Sequence, residues 1–308
     1  MRPLKIATRA SKLAMIQTNQ VRKLLENICP GIKISIVKVS TKGDRDKSDF
    51  LYKTDSIGFF TSELENALLD GRADIAVHSF KDLPTLLTPS LVVAAVPKRE
   101  SPADVLVASE KIGSIGDLPA DATIGTSSLR RIAQLYLLRD DIKCVPLRGN
   151  IETRIRKVTD GQVDAIVVAH AGLIRLGLTE KISVVLSPKE FIPAPAQGAL
   201  AVQIRADDSE LAELLAQIDD TNSRITAETE RCVLEFLHGG CSIPLGVYSE
   251  INTDTITIDA IICDLGGQNY IRRSTTSPID QAKTSAKKLA QQLLDDGGKE
   301  ILAQIKNS

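Results

Sequence analysis

The chain has 308 residues, of which 43% are hydrophobic and 25% charged, and a net charge of −1. That length exceeds a single core and suits two or three globular domains. The near-zero charge gives no global electrostatic basis for nucleic-acid or membrane binding, and no apolar run reaches the length of a membrane span.

The N-terminal run Met1-Arg2-Pro3-Leu4-Lys5-Ile6-Ala7 lacks an apolar signal core, which predicts a cytosolic chain. Cys29, Cys144, Cys232, Cys241 and Cys263 are odd in number and widely spaced, against a disulfide framework. His78, His170 and His238 have no zinc-ligand spacing around them, so no metal is expected. Tryptophan is absent and aromatics are 3%, which weakens any base-stacking role.

Ile6-Ala7-Thr8 reads as the end of a first strand. Ser11 caps a helix through Leu13, Ile16, Val21, Leu24 and Leu25, an apolar set near helical period. Alternation of Ile32, Ile34 and Ile36 predicts a strand over 32–39. The polar segment 41–56 reads as a mobile lid. Ser62-Glu63-Leu64-Glu65 has capping-box spacing and opens a helix that ends at Gly71. Asp74-Ile75-Ala76-Val77 follows as a buried type of strand.

The order then repeats. Thr123-Ile124-Gly125 is a strand end, and Leu129, Ile132, Leu135 and Leu138 mark a helix. A strand over 142–147, a helix opened by Gly149-Asn150 and a strand over 163–169 complete the second half. Asp70-Gly71-Arg72-Ala73-Asp74-Ile75 and Asp160-Gly161-Gln162-Val163-Asp164-Ala165 echo each other at the same place in the element order. Two α/β domains of one architecture follow, as in bilobed periplasmic-binding-protein-like folds. A helix over 223–237, strands near 243–248, 255–263 and 270–273, and a long helix over 280–305 make a C-terminal α+β domain.

Parallel sheets bind ligands beyond the carboxyl ends of their strands, where helix N-termini also point. Two such domains facing each other predict a cleft, and six arginines fall at its expected edges: Arg9, Arg130, Arg131, Arg148, Arg154 and Arg175. Guanidinium groups grip carboxylates or phosphates with two prongs. Ser11, Thr126, Ser127 and Ser128 add donors at helix starts. Two cations early in a helix oppose its dipole, so Arg130-Arg131 points to an anionic ligand. No phosphate-binding Gly-x-x-x-x-Gly-Lys-Ser/Thr loop and no GxGxxG fingerprint is present, which argues against a nucleotide-dependent transferase.

Two further stretches carry chemistry. His78-Ser79-Phe80-Lys81-Asp82-Leu83-Pro84 follows a strand, and a carboxylate there can move a proton or stabilise a transient cation. As a surface ion pair before a proline it contributes little. His238-Gly239-Gly240-Cys241-Ser242-Ile243-Pro244 sets a thiol after two glycines. By itself that stretch fits a glycine-capped helix followed by a small buried hydrophobe.

Taken together, these motifs resemble the porphobilinogen deaminase family over essentially the whole chain. The marks are Ile6-Ala7-Thr8-Arg9-Ala10-Ser11, the run 73–84, Gly125-Thr126-Ser127-Ser128-Leu129-Arg130-Arg131, Leu147-Arg148-Gly149-Asn150, Pro195-Ala196-Gln197-Gly198-Ala199 and Gly239-Gly240-Cys241. The resemblance implies a transferase of tetrapyrrole (porphyrin, haem) biosynthesis. It would join four porphobilinogen molecules head to tail with loss of ammonia and release hydroxymethylbilane by hydrolysis.

It also implies a dipyrromethane cofactor attached covalently at Cys241 and a catalytic carboxylate at Asp82. Loss of ammonia leaves an electron-poor pyrrole, whose positive character a carboxylate offsets. Cofactor contacts carried over are Lys81, Thr126, Ser127, Ser128, Arg130 and Arg131. Substrate contacts are Arg9, Ser11, Arg148, Arg154 and Arg175. Porphobilinogen is the small-molecule partner, with no nucleic acid or membrane, and the protein is expected to be a cytoplasmic monomer.

The domains are expected at 1–97 with 198–217, at 98–197, and at 218–308 with the cofactor cysteine. Two departures from the family stand out. Ile57 in Ser56-Ile57-Gly58 replaces a lysine, with Lys53 as a substitute cation, and Ala196 replaces a glycine, which stiffens the interdomain strand. A non-catalytic bilobed anion-binding protein would explain the twin halves and the arginines, but not Cys241, Asp82 or the third domain.

Overall fold

The computed structural model describes residues 2–41, 61–237 and 243–306. In chain order the elements of the first half are β1 (Leu4–Arg9), α1 (Lys12–Ile28), β2 (Ile34–Val39), α2 (Ser62–Leu69), β3 (Ile75–Ser79) and β4 (Leu91–Ala95). Next come β5 (Asp104–Ala108), β6 (Thr123–Gly125), α3 (Leu129–Leu138), β7 (Lys143–Val145), α4 (Ile151–Thr159), β8 (Ala165–Ala169), α5 (His170–Leu176) and β9 (Val184–Leu186). The remainder is β10 (Leu200–Arg205), α6 (Ser209–Ala216), α7 (Thr221–Phe236), β11 (Leu245–Asn252), β12 (Thr255–Cys263), β13 (Tyr270–Pro278), α8 (Ala282–Leu293) and α9 (Lys299–Lys306). Among the described residues, one compact unit holds those up to Glu100 with Gly198–Ile225. A second holds Ser101–Gln197 with those from Thr226 onward.

The first unit is built on a sheet of order β2-β1-β3-β10-β4. β1 runs parallel to β2 and β3, and β10 runs antiparallel to both its neighbours. Ile6, Ile75, Val77, Val202 and Ile204 form one side of its core with Val21 and Leu25 of α1. Ala7, Ala76, Leu64 and Leu68 form the other, so helices cover both faces.

The second unit repeats the pattern in its own sheet, order β7-β6-β8-β5-β9. β6 is parallel to β7 and β8, and β5 is antiparallel to β8 and β9. The reversed strand thus occupies the same place in both sheets. In the first it is β10, which arrives late in sequence; in the second it is β5. The two α/β folds predicted from the sequence echo are therefore one architecture.

The echo has a physical cause. Asp74 Oδ2 accepts from the Lys5 amide at 2.8 Å, and Asp164 Oδ2 accepts from the Thr123 amide at 2.7 Å. Asp74 thus locks the start of β3 to β1, and Asp164 the start of β8 to β6. Gly71 and Gly161 just before both take φ +68, a left-handed turn that glycine enters without steric cost.

A third sheet, the antiparallel meander β11-β12-β13, lies in the second unit. α8 buries Ala286, Leu289, Ala290 and Leu293 at helical spacing, and these cover the sheet. The predicted helix over 280–305 is two helices: Gly297 at φ +115 breaks it into α8 and α9. The predicted capping box is also absent. Ser62 is the first residue of α2 rather than its cap, and the buried carboxylate of Glu65 turns to Thr88 and Gln203 instead.

Candidate functional site

In the first unit an open recess of about 470 Å³, mouth included, lies at the carboxyl ends of β1 and β3. Its lining includes Arg9, Ser11, Gln17, His78, Ser79 and Asp82. Ser11 reaches it because it caps α1, its Oγ accepting from the Ala14 amide at 3.3 Å. Asp82 reaches it because Phe80–Asp82 form one 3-10 turn directly after β3, anchored by the buried Phe80 ring. Asp82 and Lys81 are both half-buried. Gln17 Nε2 donates to Ser79 Oγ at 2.9 Å and braces the same wall.

The second unit carries the arginines that follow β6, β7 and β8. Arg148 lies beyond β7, Arg154 in α4 and Arg175 in the last turn of α5. Asn150 caps α4 through the Thr153 amide at 2.8 Å, and Arg154 Nε donates to the Gly149 carbonyl at 2.8 Å. Burial, then the charges of Arg131 and Arg148, lower the Arg154 pKa to about 10. Arg148 Nε and Nη2 are buried and have no hydrogen-bond partner among the described residues. Three guanidinium groups thus lie within electrostatic reach of one another, and that of Arg148 has donors unmet, an arrangement that a bound polyanion would relieve.

Arg130 and Arg131 correct an expectation. Both are buried, and both grip Asp104, which is 0% exposed. Arg130 Nη2 lies 2.8 Å from Oδ2, and Arg131 Nη2 and Nε lie 2.7 and 3.1 Å from Oδ1. Their remaining reach goes to the carbonyls of Ile192 at 2.9 Å and Val167 at 3.0 Å. Arg130 also lies 5.7 Å from the centre of the Phe191 ring. An internal carboxylate, not a ligand alone, therefore offsets two cations early in α3. Even so, the cluster holds two cations against one anion, and Arg130 Nε has no partner among the described residues.

The predicted hydroxyl contacts are also partly committed. Ser127 Oγ donates to the Leu147 carbonyl at 3.1 Å and accepts from the Leu147 amide at 3.0 Å. Thr126 is buried, and its Oγ1 accepts from the Ser128 amide at 3.2 Å. Ser128 caps α3 with its backbone and makes no side-chain cap bond. These residues hold together the loops that present Arg131 and Arg148.

Cys241 lies outside the described residues, as do Lys53, Ile57 and the predicted lid segment beyond Thr41. The other four thiols are free. Burial pushes Cys144 up to about 11 and Cys263 up to about 12, and raises Cys232. Those three are inert at neutral pH. Among the described residues no cluster of metal-ligating side chains occurs.

Sequence reading missed Asp104, Gln203 and Glu65. The signal was present for the first two: each is a polar residue within an otherwise apolar strand, Asp104-Val105-Leu106-Val107 and Ala201-Val202-Gln203-Ile204. Such a residue is buried and must be partnered.

Profiles of known families match the chain in two stretches. "Porphobilinogen deaminase, dipyromethane cofactor binding domain" covers residues 4–213, and "Porphobilinogen deaminase, C-terminal domain" covers residues 224–295. The chain belongs to the porphobilinogen deaminase family. The porphobilinogen deaminase of Maridesulfovibrio salexigens is 44% identical over 305 residues, covering 99% of both chains. That of Syntrophobacter fumaroxidans is 40% identical over 304 residues, covering 99% of this chain and 98% of its own. Among solved structures, the Escherichia coli periplasmic aliphatic sulphonate binding protein SsuA is 18% identical with a TM-score of 0.42, covering 76% of this chain and 70% of that one. No helix among the described residues is long and apolar enough to cross a membrane.

Proposed function

We propose that this member of the porphobilinogen deaminase family joins four porphobilinogen molecules head to tail, with loss of ammonia, and releases hydroxymethylbilane by hydrolysis. The observation that carries the reading is the cluster of Arg131, Arg148 and Arg154, with buried Arg148 donors unmet in a chain of net charge −1. Porphobilinogen carries an acetate and a propionate, so a growing chain accumulates carboxylates that such a cluster would hold.

A dipyrromethane cofactor fits these residues: its carboxylates would meet the orphaned Arg148 donors, and its attachment is assigned to Cys241. When bound, it supplies the pyrrole carbon to which units are added. Arg148 and Arg154 bind carboxylates, as do Arg9, Ser11 and Arg175. Arg130 and Arg131 supply the excess positive charge of the Asp104 cluster. Lys81, Thr126, Ser127 and Ser128 are assigned to the cofactor side.

Asp82 is assigned as the catalytic carboxylate. It offsets the positive charge that develops on the pyrrole nitrogen as ammonia leaves, and it takes up the displaced proton. Three separate sheets support three domains, at 1–97 with 198–217, at 98–197 and at 218–308. A cytosolic monomer is part of the same reading.

Intact mass tests the proposal. The purified protein is expected to exceed its polypeptide mass by a dipyrromethane, and Cys241→Ser to lack that excess. A bare polypeptide mass in protein that does not consume porphobilinogen overturns the reading. Asp82→Asn keeps shape and removes charge, so it is expected to retain the cofactor and lose most single-turnover rate. An unchanged rate removes Asp82 from the chemistry.

A further inference from the structure

His78 lines the Asp82 recess, yet the proposed chemistry gives it no role. It is buried, and a chain of side chains runs from it into the core of the first unit. His78 Nε2 lies 3.0 Å from Gln203 Oε1. Gln203 Nε2 donates to Glu65 Oε1 at 2.9 Å, and Thr88 Oγ1 donates to Glu65 Oε2 at 2.9 Å.

The direction of this chain is determined by valence. The Glu65 carboxylate only accepts, so Gln203 must turn its NH2 toward Glu65 and its oxygen toward His78. The amide oxygen also only accepts, so His78 Nε2 must carry the hydrogen. In a neutral ring Nδ1 is then bare, a lone pair with no protein partner among the described residues. Burial holds the ring neutral, lowering its pKa to about 4 against the weaker opposing effect of Gln203.

We propose that the Glu65–Gln203 chain fixes His78 in its Nε2–H form so that Nδ1 accepts a hydrogen bond from an N–H group of the substrate in the Asp82 recess. This inference rests on the reading that the recess binds porphobilinogen. The donors available there are the ring N–H and the aminomethyl ammonium. Arg9 in the same lining is a donor and suits substrate carboxylates, whereas an N–H needs an acceptor. His78 binds through a lone pair and transfers no proton, because a ring this weakly basic is a poor base at neutral pH.

Two isosteres separate binding from mere architecture. His78→Gln keeps an amide near Nε2, preserving the link to Gln203, and removes the acceptor at Nδ1. His78→Asn does the reverse. In the holoenzyme, His78→Gln is expected to raise the KM for porphobilinogen by about five- to tenfold with kcat little changed, the effect of one lost hydrogen bond. His78→Asn is expected to rescue most of that loss. Wild-type KM in His78→Gln, with impairment only in His78→Asn, overturns the proposal, because then the Gln203 link alone matters.

The chain has three histidines, so imidazole 15N resonances can be assigned. An unprotonated Nδ1 that shifts when porphobilinogen binds is expected, and a protonated Nδ1 refutes the tautomer. A binding comparison with a porphobilinogen analogue lacking the amine tells which N–H is recognised. Asp82→Asn run in parallel keeps the failures distinct. If it abolishes turnover while His78→Gln does nothing, only this inference falls; if it is harmless, the recess itself is misassigned.

Discussion

Asp104→Asn isolates the charge at the centre of the second unit. The wild-type carboxylate is fully buried and accepts from Arg130, twice from Arg131, and from Gln197 Nε2 at 3.0 Å. Asparagine keeps the volume but turns one oxygen into a donor facing a guanidinium. Two buried cations then have no anion between them. Removing one partner of a buried ion pair costs about 3–5 kcal/mol. One carboxylate serves two arginines here, and asparagine retains one acceptor, so we expect about 4 kcal/mol. With a urea m-value near 3 kcal/mol/M, the upper end for small proteins and suited to this size, the midpoint falls by ~1.3 M.

Urea titration followed by circular dichroism reads this midpoint directly. A shift below about 0.3 M, equivalent to about 1 kcal/mol, would refute the claim that Asp104 neutralises this pair. The double variant Asp104→Asn/Arg130→Met provides a second check. It restores the net charge of the wild-type cluster and is expected to be less destabilised than the sum of its single changes, by about 1 kcal/mol or more. Strict additivity would mean that the charges do not interact.

Two other outcomes follow from the same structure. His78 has its pKa lowered from 6.5 to about 4, so the unfolded state binds its proton first. Its contribution is complete above pH 6.5 and is lost as pH falls from 6.5 toward 4, to a total of roughly 3 kcal/mol. Urea midpoints measured across that window are expected to fall more steeply in the wild type than in His78→Gln, and equal slopes would contradict the buried neutral ring. In a cofactor-free Cys241→Ser background, Arg148→Met removes a cation with two unmet buried donors and is expected to raise stability by about 1 kcal/mol. The same change in holoprotein is expected to raise KM for porphobilinogen, and a stability loss in the cofactor-free form would mean that Arg148 has a structural partner.

Much of the architecture was legible because it depends on local pattern. Ser11 and Asn150 cap helices where their sequence positions say they do, since a cap needs only its own next turn. The Asp-Gly echo located both α/β sheets because each copy sets the same left-handed glycine turn before a strand, although the amides its aspartate holds lie 69 and 41 residues away and were not legible. Legibility ended where a residue's partner is remote. Ser62 to Glu65 satisfies the spacing of a capping box, but Glu65 finds Gln203, 138 positions away, and the box does not form. Arg130 and Arg131 look like ligand-binding cations until Asp104, 26 and 27 residues earlier, is seen between them.

The sequence by itself determined the family, the twin α/β halves, the third domain and the placement of Asp82 just after a strand. Those features follow from periodicity, turns and motifs that are local in the chain. Only the tertiary structure decided which cations already have a counter-ion, which donors remain unmet, and which face of His78 carries its lone pair. Each depends on desolvation and on partners brought together from distant segments, and neither is encoded in any short window of residues.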